Sequence, residues 1–329
     1  MCVMAAACGG SDGTTTPAID APPGSTIDAP PGGTIDARPS ALDAPPSPAC
    51  PTNCGPGGTD NCCTTGSVTG ATYNRSNMAG AAATVSTFDL DKYEVSVGRM
   101  RAFVNGGGGT QAMPPATGSG ANAKIADSGW QAAWNASLPA TTTALRNQLK
   151  CDPMFATWTD NPGANEARPQ NCVSWYVAFA YCASVGGHLP TEAEWNLAAA
   201  AGSEQRMYPF TGAIDDTRAS YFIDATKQCF GDGVNGCSLA DLVAVGTKSA
   251  GDGKFGQSDL AGNVKEWTLD GYTATYATPC TDCANLDTSG EKVSRGGAYS
   301  DSAASVATTV RSHALPTTRA ATLGFRCAH

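Results

Sequence analysis

The chain has 329 residues, of which 41% are hydrophobic and 15% charged, with a formal net charge of −9 at pH 7. A charged share so far below the ~25% of ordinary soluble domains, together with 38 Gly and 21 Pro, predicts many loops and few long helices. The acidic balance excludes the basic surface that nucleic-acid binding requires, no run of 18 apolar residues offers a membrane-spanning helix, and 14 Cys without zinc-finger spacing point to an oxidising compartment.

Residues 1–72 carry no aromatic side chain, no Glu and one basic residue, Arg38. Such a stretch buries too little apolar surface to offset the entropy of ordering it. Ile19-Asp20-Ala21-Pro22-Pro23 recurs at Ile27 and, with Arg38 in place of the first Pro, at Ile35, a period of eight. With nine Pro in the 32 residues from Pro17 to Pro48, residues 9–49 read as a disordered, semi-rigid spacer. Ahead of it, Met4-Ala5-Ala6-Ala7-Cys8-Gly9-Gly10-Ser11 resembles the end of a bacterial lipoprotein signal. That resemblance implies lipidation of Cys8, residues 1–8 as a signal remnant containing Cys2, and contact with the membrane through the anchor alone. Gly9 after the Cys implies an outer-membrane address. Only seven residues precede Cys8, fewer than a signal needs, so either the true start lies upstream or the resemblance is accidental.

Cys50, Cys54, Cys62 and Cys63 make a Cys-rich junction over residues 50–67, expected as a small disulfide knot, and the folded domain is expected over residues 68–329. Phe88 to Val95 alternates apolar and polar, which predicts a half-buried strand. Ser96 caps a predicted helix through Val104, with Val97, Met100, Phe103 and Val104 on one face and Gly106 to Gly109 ending it. Residues 105–170 read as mostly irregular, anchored by Trp130, Trp134 and Trp158. Ser174 caps a second helix, Trp175 to Ser184. Thr191 and Glu194, three residues apart, form a capping box for a third helix that runs to Ala201 and stops at Gly202. Beyond it the pattern is short strands and long loops.

Three segments taken in order resemble one family: Phe88 to Val95; Val173-Ser174-Trp175 through Gly187-His188-Leu189-Pro190-Thr191-Glu192-Ala193-Glu194-Trp195; and Asp259 to Trp267, followed by Arg295-Gly296-Gly297 and Leu323 to Cys327. The set resembles the formylglycine-generating enzyme family, the sulfatase-modifying factor domain. The resemblance implies a loop-rich α+β fold related to C-type lectins, and a structural Ca²⁺ on the side chains of Asp259 and Glu266 and the carbonyls of Gly262 and Val264. Mixed carboxylate and carbonyl oxygens suit that ion. For a second calcium site in the family, Ser220 stands at the position expected for an Asn ligand, with Asp232 or a neighbour as a further donor, although the Asp-Gly-Val-Asn-Gly run at 232–236 equally reads as turn chemistry.

Enzymes of the family oxidise a substrate cysteine with copper, using two thiolates shortly after the Arg-Gly-Gly motif. Counted along the family pattern, those positions are Asp301 and Val306, neither of which offers the soft ligand that Cu(I) needs. A second branch uses iron held by clustered His, but His188, His313 and His329 lack that spacing and read as surface residues. The domain is therefore expected to have no catalytic residues of the family type and to bind a peptide, glycan or envelope protein. Ser294, Arg295, Tyr299, Ser300, Asp301 and Arg311 would line the former substrate groove, with Arg295 and Arg326 also read as buried ion-pair partners. The alternative is an enzyme using the same groove with other residues, such as Asp301 as an acid–base group.

Without Cys2 and Cys8, twelve cysteines remain, an even number. The resemblance implies a Cys182–Cys327 disulfide. Cys229 and Cys237 close a Gly-rich loop, and Cys151 with Cys172 makes a further pair. Cys280 and Cys283 form a Cys-x-x-Cys read as a local disulfide, with redox activity or half a zinc site as alternatives.

Overall fold

The computed structural model describes residues 50–223 and 228–329. The lipidation expected at Cys8, the signal remnant 1–8 and the spacer 9–49 lie outside the described residues. Four short strands open the fold: Thr65–Val68 (β1), Ala71–Asn74 (β2), Ala82–Val85 (β3) and Phe88–Asp91 (β4). β1 pairs antiparallel with β4, and β2 with β3. The strand expected to reach Val95 stops at Asp91, because the next residues are drawn apart by distant partners. The Asp91 carboxylate accepts from Arg99 at 2.9 Å. Tyr93 packs with Cys54, Cys62 and Val245, and Glu94 accepts from the backbone and side chain of the 263–264 turn.

Helix α1, Val97–Asn105, buries Val97, Met100, Phe103 and Val104 as the periodicity requires, and the Ser96 hydroxyl accepts the Arg99 N–H. The stretch read as irregular holds a further short helix, α2, Thr142–Gln148, begun by Thr141, whose hydroxyl accepts the Ala144 N–H. Trp130, Trp134 and Trp158 are buried there, and the indoles of Trp130 and Trp134 meet edge-to-face. Helix α3 runs Trp175–Ser184 as expected. Helix α4, Glu192–Ala199, carries the expected capping box: Glu194 N–H donates to the Thr191 hydroxyl at 3.0 Å and Thr191 N–H to the Glu194 carboxylate at 2.8 Å. It ends two residues before the predicted Ala201, which instead takes a left-handed φ of +58°.

The second half adds the short pair Phe222–Ile223 (β5) and Gln228–Cys229 (β6), then Lys265–Gly271 (β7), Lys292–Arg295 (β8), Ser312–Ala314 (β9) and Leu323–Gly324 (β10). The last four form one sheet in the order β10-β7-β8-β9, with β10 parallel to β7 and the other pairings antiparallel. The main core joins α1 and α3 to this sheet through Trp175, Phe179, Trp267 and Phe325. The fold is α+β and loop-rich, and among the described residues no helix is long and apolar enough to cross a membrane.

Every cysteine among the described residues is oxidised. The pairs are Cys50–Cys63, Cys54–Cys62, Cys151–Cys172, Cys182–Cys327, Cys229–Cys237 and Cys280–Cys283. Cys182–Cys327 ties α3 to the carboxyl terminus across 145 residues, which the chain-entropy account values at about 5 kcal/mol. The knot packs into the body, with Gly55 N–H donating to the Val245 carbonyl, so the packed domain begins upstream of the expected boundary at residue 68.

Candidate functional site

The Arg295-Gly296-Gly297 turn needs its glycines: both have positive φ, and a Cβ on Gly297 would lie 2.8 Å from the Val306 Cα. That close approach closes the loop expected to hold the catalytic pair. Val306 is fully buried against Phe210, Ala219, Tyr221 and Ala261. Asp301 accepts the Ala298 N–H at 2.9 Å and pairs with Lys265 at 2.5 Å. One position is hydrocarbon core and the other a tether for its own turn.

The six expected groove residues do not share a face. Ser294 and Arg295 are interior positions of β8, each 1% exposed. The Arg295 guanidinium donates to the carbonyls of Val310 and Thr308 and to the Ser76 hydroxyl, and lies over the Trp195 ring. Tyr299 is buried beside Phe155 at 5.7 Å. Ser300 is exposed. Arg295 and Arg326 are both buried ion-pair partners, as the sequence suggested: Arg295 Nε lies 3.8 Å from Glu192 Oε1, and Arg326 forks onto both Glu266 oxygens at 2.7 Å.

Arg311 instead helps to form a cleft of about 410 Å³ beside β7, whose walls include Arg75, Glu192, Asp270, Tyr276 and Cys283. Glu192, the first residue of α4, accepts from Arg311 Nε and Nη2 at 2.6 and 2.8 Å and from the Tyr276 hydroxyl at 3.0 Å. The Tyr276 ring lies 4.3 Å from both the Arg75 and the Arg311 guanidinium carbon. Arg75 is 5% exposed, and its Nε and Nη2 are held by the carbonyls of Ala81 and Ala277. Among the described residues no carboxylate forms an ion pair with it. Burial, then the neighbouring Glu192 charge, pushes the Asp270 carboxyl up to about 7, although the N–H groups of Glu192 and Asn285 donate to it. Burial brings the Lys292 ammonium down to about 8. Sequence reasoning missed Arg75, Asp270 and Tyr276, which lie outside the family motifs.

The expected calcium set is not assembled as drawn. Glu266 has both oxygens on Arg326 and a third donor in Trp195 Nε1 at 2.8 Å. Asp259 accepts the Gly246 N–H at 2.6 Å. Among the described residues no three His, Cys, Asp or Glu gather as a metal-holding group. What the turn does hold is excess buried acid: Glu94 lies beside Asp259 and Glu266, and burial followed by those two charges raises its carboxyl well above the usual range. Burial raises Asp259 to about 6. The buried Asn263 Oδ1 has no hydrogen-bond partner. At the second expected site, the Ser220 hydroxyl donates to the Asp241 carbonyl, while Asp232 is exposed and accepts from Val234 N–H, a turn contact. His188, expected at the surface, is 6% exposed beside Glu194 at 3.3 Å, where it joins the capping-box carboxylate.

A sequence profile described as "Sulfatase-modifying factor enzyme 1-like domain" matches residues 56–329. The formylglycine-generating enzyme of Bos taurus is 27% identical over 274 residues, covering 74% of this chain and 66% of the enzyme. The inactive C-alpha-formylglycine-generating enzyme 2 of the same species is 33% identical over 165 residues, covering 47% of this chain and 48% of that protein. The chain thus spans two thirds or less of the length of these relatives. Among solved structures, PvdO from Pseudomonas aeruginosa superposes with a TM-score of 0.53 at 19% identity, over 80% of this chain and 93% of PvdO, a likeness of fold.

Proposed function

The chain belongs to the sulfatase-modifying factor enzyme 1-like family, and from that membership we propose that it is a member without the family's catalytic cysteine pair that binds a peptide, glycan or envelope protein at the bacterial cell surface. One observation carries the reading: the two positions assigned to the copper thiolates hold an ion-paired Asp301 and a core Val306, while every cysteine among the described residues is in a disulfide. Asp301 is fixed between Lys265 and the Ala298 N–H, which disfavours the alternative of an acid–base group. The matching relative named as inactive gives this outcome a precedent in the family. The cleft around Tyr276 and Arg311 is the surface best suited to recognition, since it presents cationic, hydroxyl and aromatic groups together.

The test supplies copper, oxygen and a peptide with the Cys-x-Pro-x-Arg motif, beside an active family enzyme. Mass spectrometry is expected to find no formylglycine at the peptide cysteine, and conversion to formylglycine overturns the proposal. The anchor at Cys8 is supported by the small residues before it and the Pro-rich spacer after it. Labelling of intact cells with a fatty-acid analogue is expected to place lipid on the Cys8 peptide.

Calcium is retained in the proposal with a changed donor set. Glu94 and Asp259, buried and raised, and the partnerless Asn263 Oδ1 offer hard oxygens, whereas Glu266 is withdrawn by Arg326. Such an ion would neutralise the buried acids. Millimolar Ca²⁺ is expected to raise the thermal midpoint of chelator-treated protein, and Glu94→Gln to abolish that rise.

A further inference from the structure

We propose that Cys280–Cys283 is a thiol–disulfide exchange centre, acting on thiol-bearing peptides that enter the cleft beside Arg75. The Cys283 residue forms part of the cleft wall and is half-buried, whereas Cys280 is 4% exposed behind it. Attack from the cleft therefore falls on the Cys283 sulfur. Arg75 Nη1 lies 3.8 Å from that sulfur. The guanidinium is held by two carbonyls and the Tyr276 ring, and among the described residues no carboxylate pairs with it, so its charge is free to face a thiolate. A fixed cation beside a sulfur stabilises the thiolate and makes it a better leaving group. Glu192 and Asp270, the acidic groups of the same cleft, have other partners: Arg311 for the first and two backbone N–H groups for the second.

The loop carrying the pair is rigidly docked. Thr84 N–H donates to the Cys280 carbonyl, Asp282 N–H donates back to the Thr84 carbonyl, and the Asp282 carboxylate accepts from the Ser86 N–H and hydroxyl. Opening the pair leaves these contacts intact, so the loop is held in place while the sulfurs react. By contrast, Cys182–Cys327 lies wholly inside the core, with both residues 0% exposed.

The step balances as an ordinary exchange. A substrate thiolate forms a bond to the Cys283 sulfur, the Cys280–Cys283 bond breaks, and its electron pair leaves on the Cys280 sulfur, which takes up a proton. A second substrate thiolate then attacks the mixed disulfide at the substrate sulfur, and Cys283 departs as a thiolate beside Arg75. Two substrate thiols are oxidised to a disulfide and the protein pair is reduced to a dithiol. A second disulfide, such as oxidised glutathione, restores the pair by the reverse exchange.

The full-length oxidised protein is equilibrated with glutathione buffers, alkylated and mapped by mass spectrometry. Cys280–Cys283 is expected to open at [GSH]²/[GSSG] at least about tenfold lower than Cys151–Cys172, a gap of ~30 mV. In Cys280→Ser, the Cys283 thiol is expected to titrate at least about one unit below the ~8.5 of free cysteine. Arg75→Gln in that background is expected to return the thiol to its ordinary value and Arg75→Lys to keep the shift, with folding followed by circular dichroism. A Cys283 thiol at or above the ordinary value, or one unmoved by Arg75→Gln in folded protein, overturns the proposal. So does a Cys280–Cys283 pair that opens no more easily than Cys151–Cys172. Should Arg75→Gln fail to fold, the glutathione equilibrium and Cys280→Ser alone decide. None of these readouts involves copper or formylglycine, so their failure is distinct from failure of the reading that the copper thiolates are absent.

Discussion

Two regions held in place by the same strands, β7 and β8, have opposite fates. The loop from Ala298 to Val306 follows β8 and is closed: Val306 fills an apolar cluster, and Asp301 is tied to Lys265 at the start of β7. The cleft at the far end of β7 is open, although its walls carry Glu192, Asp270, Arg75 and Arg311. A buried hydrocarbon gains by excluding space, whereas a buried charge needs a partner and geometry to keep it. Val306, at a position where the family pattern leads one to expect a thiol, fills the first region. In the second, the wall charges keep partners of their own, Glu192 with Arg311 and Asp270 with two backbone N–H groups.

Val306→Asp is the largest break in this comparison. It puts an unpaired carboxylate among Phe210, Ala219 and Ala261, and is expected to cost about 3–5 kcal/mol in denaturant unfolding. The same change at the exposed cleft residue Thr275 is expected to stay within about 0.5 kcal/mol. Were the two to cost alike, the contrast between closed loop and open cleft would be wrong.

Glu192→Gln comes next. It weakens the bidentate Arg311 contact and the Tyr276 hydrogen bond together, with an expected loss of about 1.5–3 kcal/mol. Any ligand of the cleft should be lost with it, measured by calorimetry.

Acid titration separates the cleft from the Glu94 turn. Asp270 is held near 7, with burial the largest cause, while an unfolded aspartate titrates near ~3.9. Between those values the folded state binds the extra proton. The contribution is therefore fully present below about pH 4 and is lost as pH rises through about 7, by at most ~1.4 kcal/mol per pH unit for one proton. Asp259, held near 6, acts in the same direction. Asp270→Asn is expected to flatten the decline in stability between about pH 5 and 7, and to leave the calcium response of the turn unchanged. A decline of unchanged slope would assign it elsewhere. The smallest effect is Asp301→Asn: the pair with Lys265 is partly exposed, and about 0.2–1 kcal/mol is expected in the same unfolding measurement.

The legible parts of this fold were local. Ser96, Ser174 and the Thr191/Glu194 box announced three helices because a cap and its acceptor lie within one turn of each other. Even there, the end of α4 was misplaced by two residues, since the left-handed Ala201 is set by packing and not by a sequence signal. The family motifs located the Arg295 turn and the Asp259 turn, but the chemistry within them read differently once partners were visible. Glu266, expected to hold calcium, holds Arg326 from 60 residues away. Arg295, read both along a groove and as a buried ion-pair partner, is the second of these, 3.8 Å from Glu192, and also reaches Ser76 across 219 residues. His188, expected at the surface, sits beside a capping carboxylate.

By itself the sequence determined the family, the α+β class, the caps, the disulfide-bonded cysteines of the domain and the absence of cysteine at Asp301 and Val306. Each of these is read from residue identity, from spacing along a few turns of chain, or from the family resemblance. Only the tertiary structure decided which acid meets which arginine, that the expected groove is largely interior, and that Arg75 lies beside Cys283 at the edge of a cleft. Those contacts join residues as far as 219 positions apart, and their energies depend on burial and distance, which exist only after the chain has closed on itself.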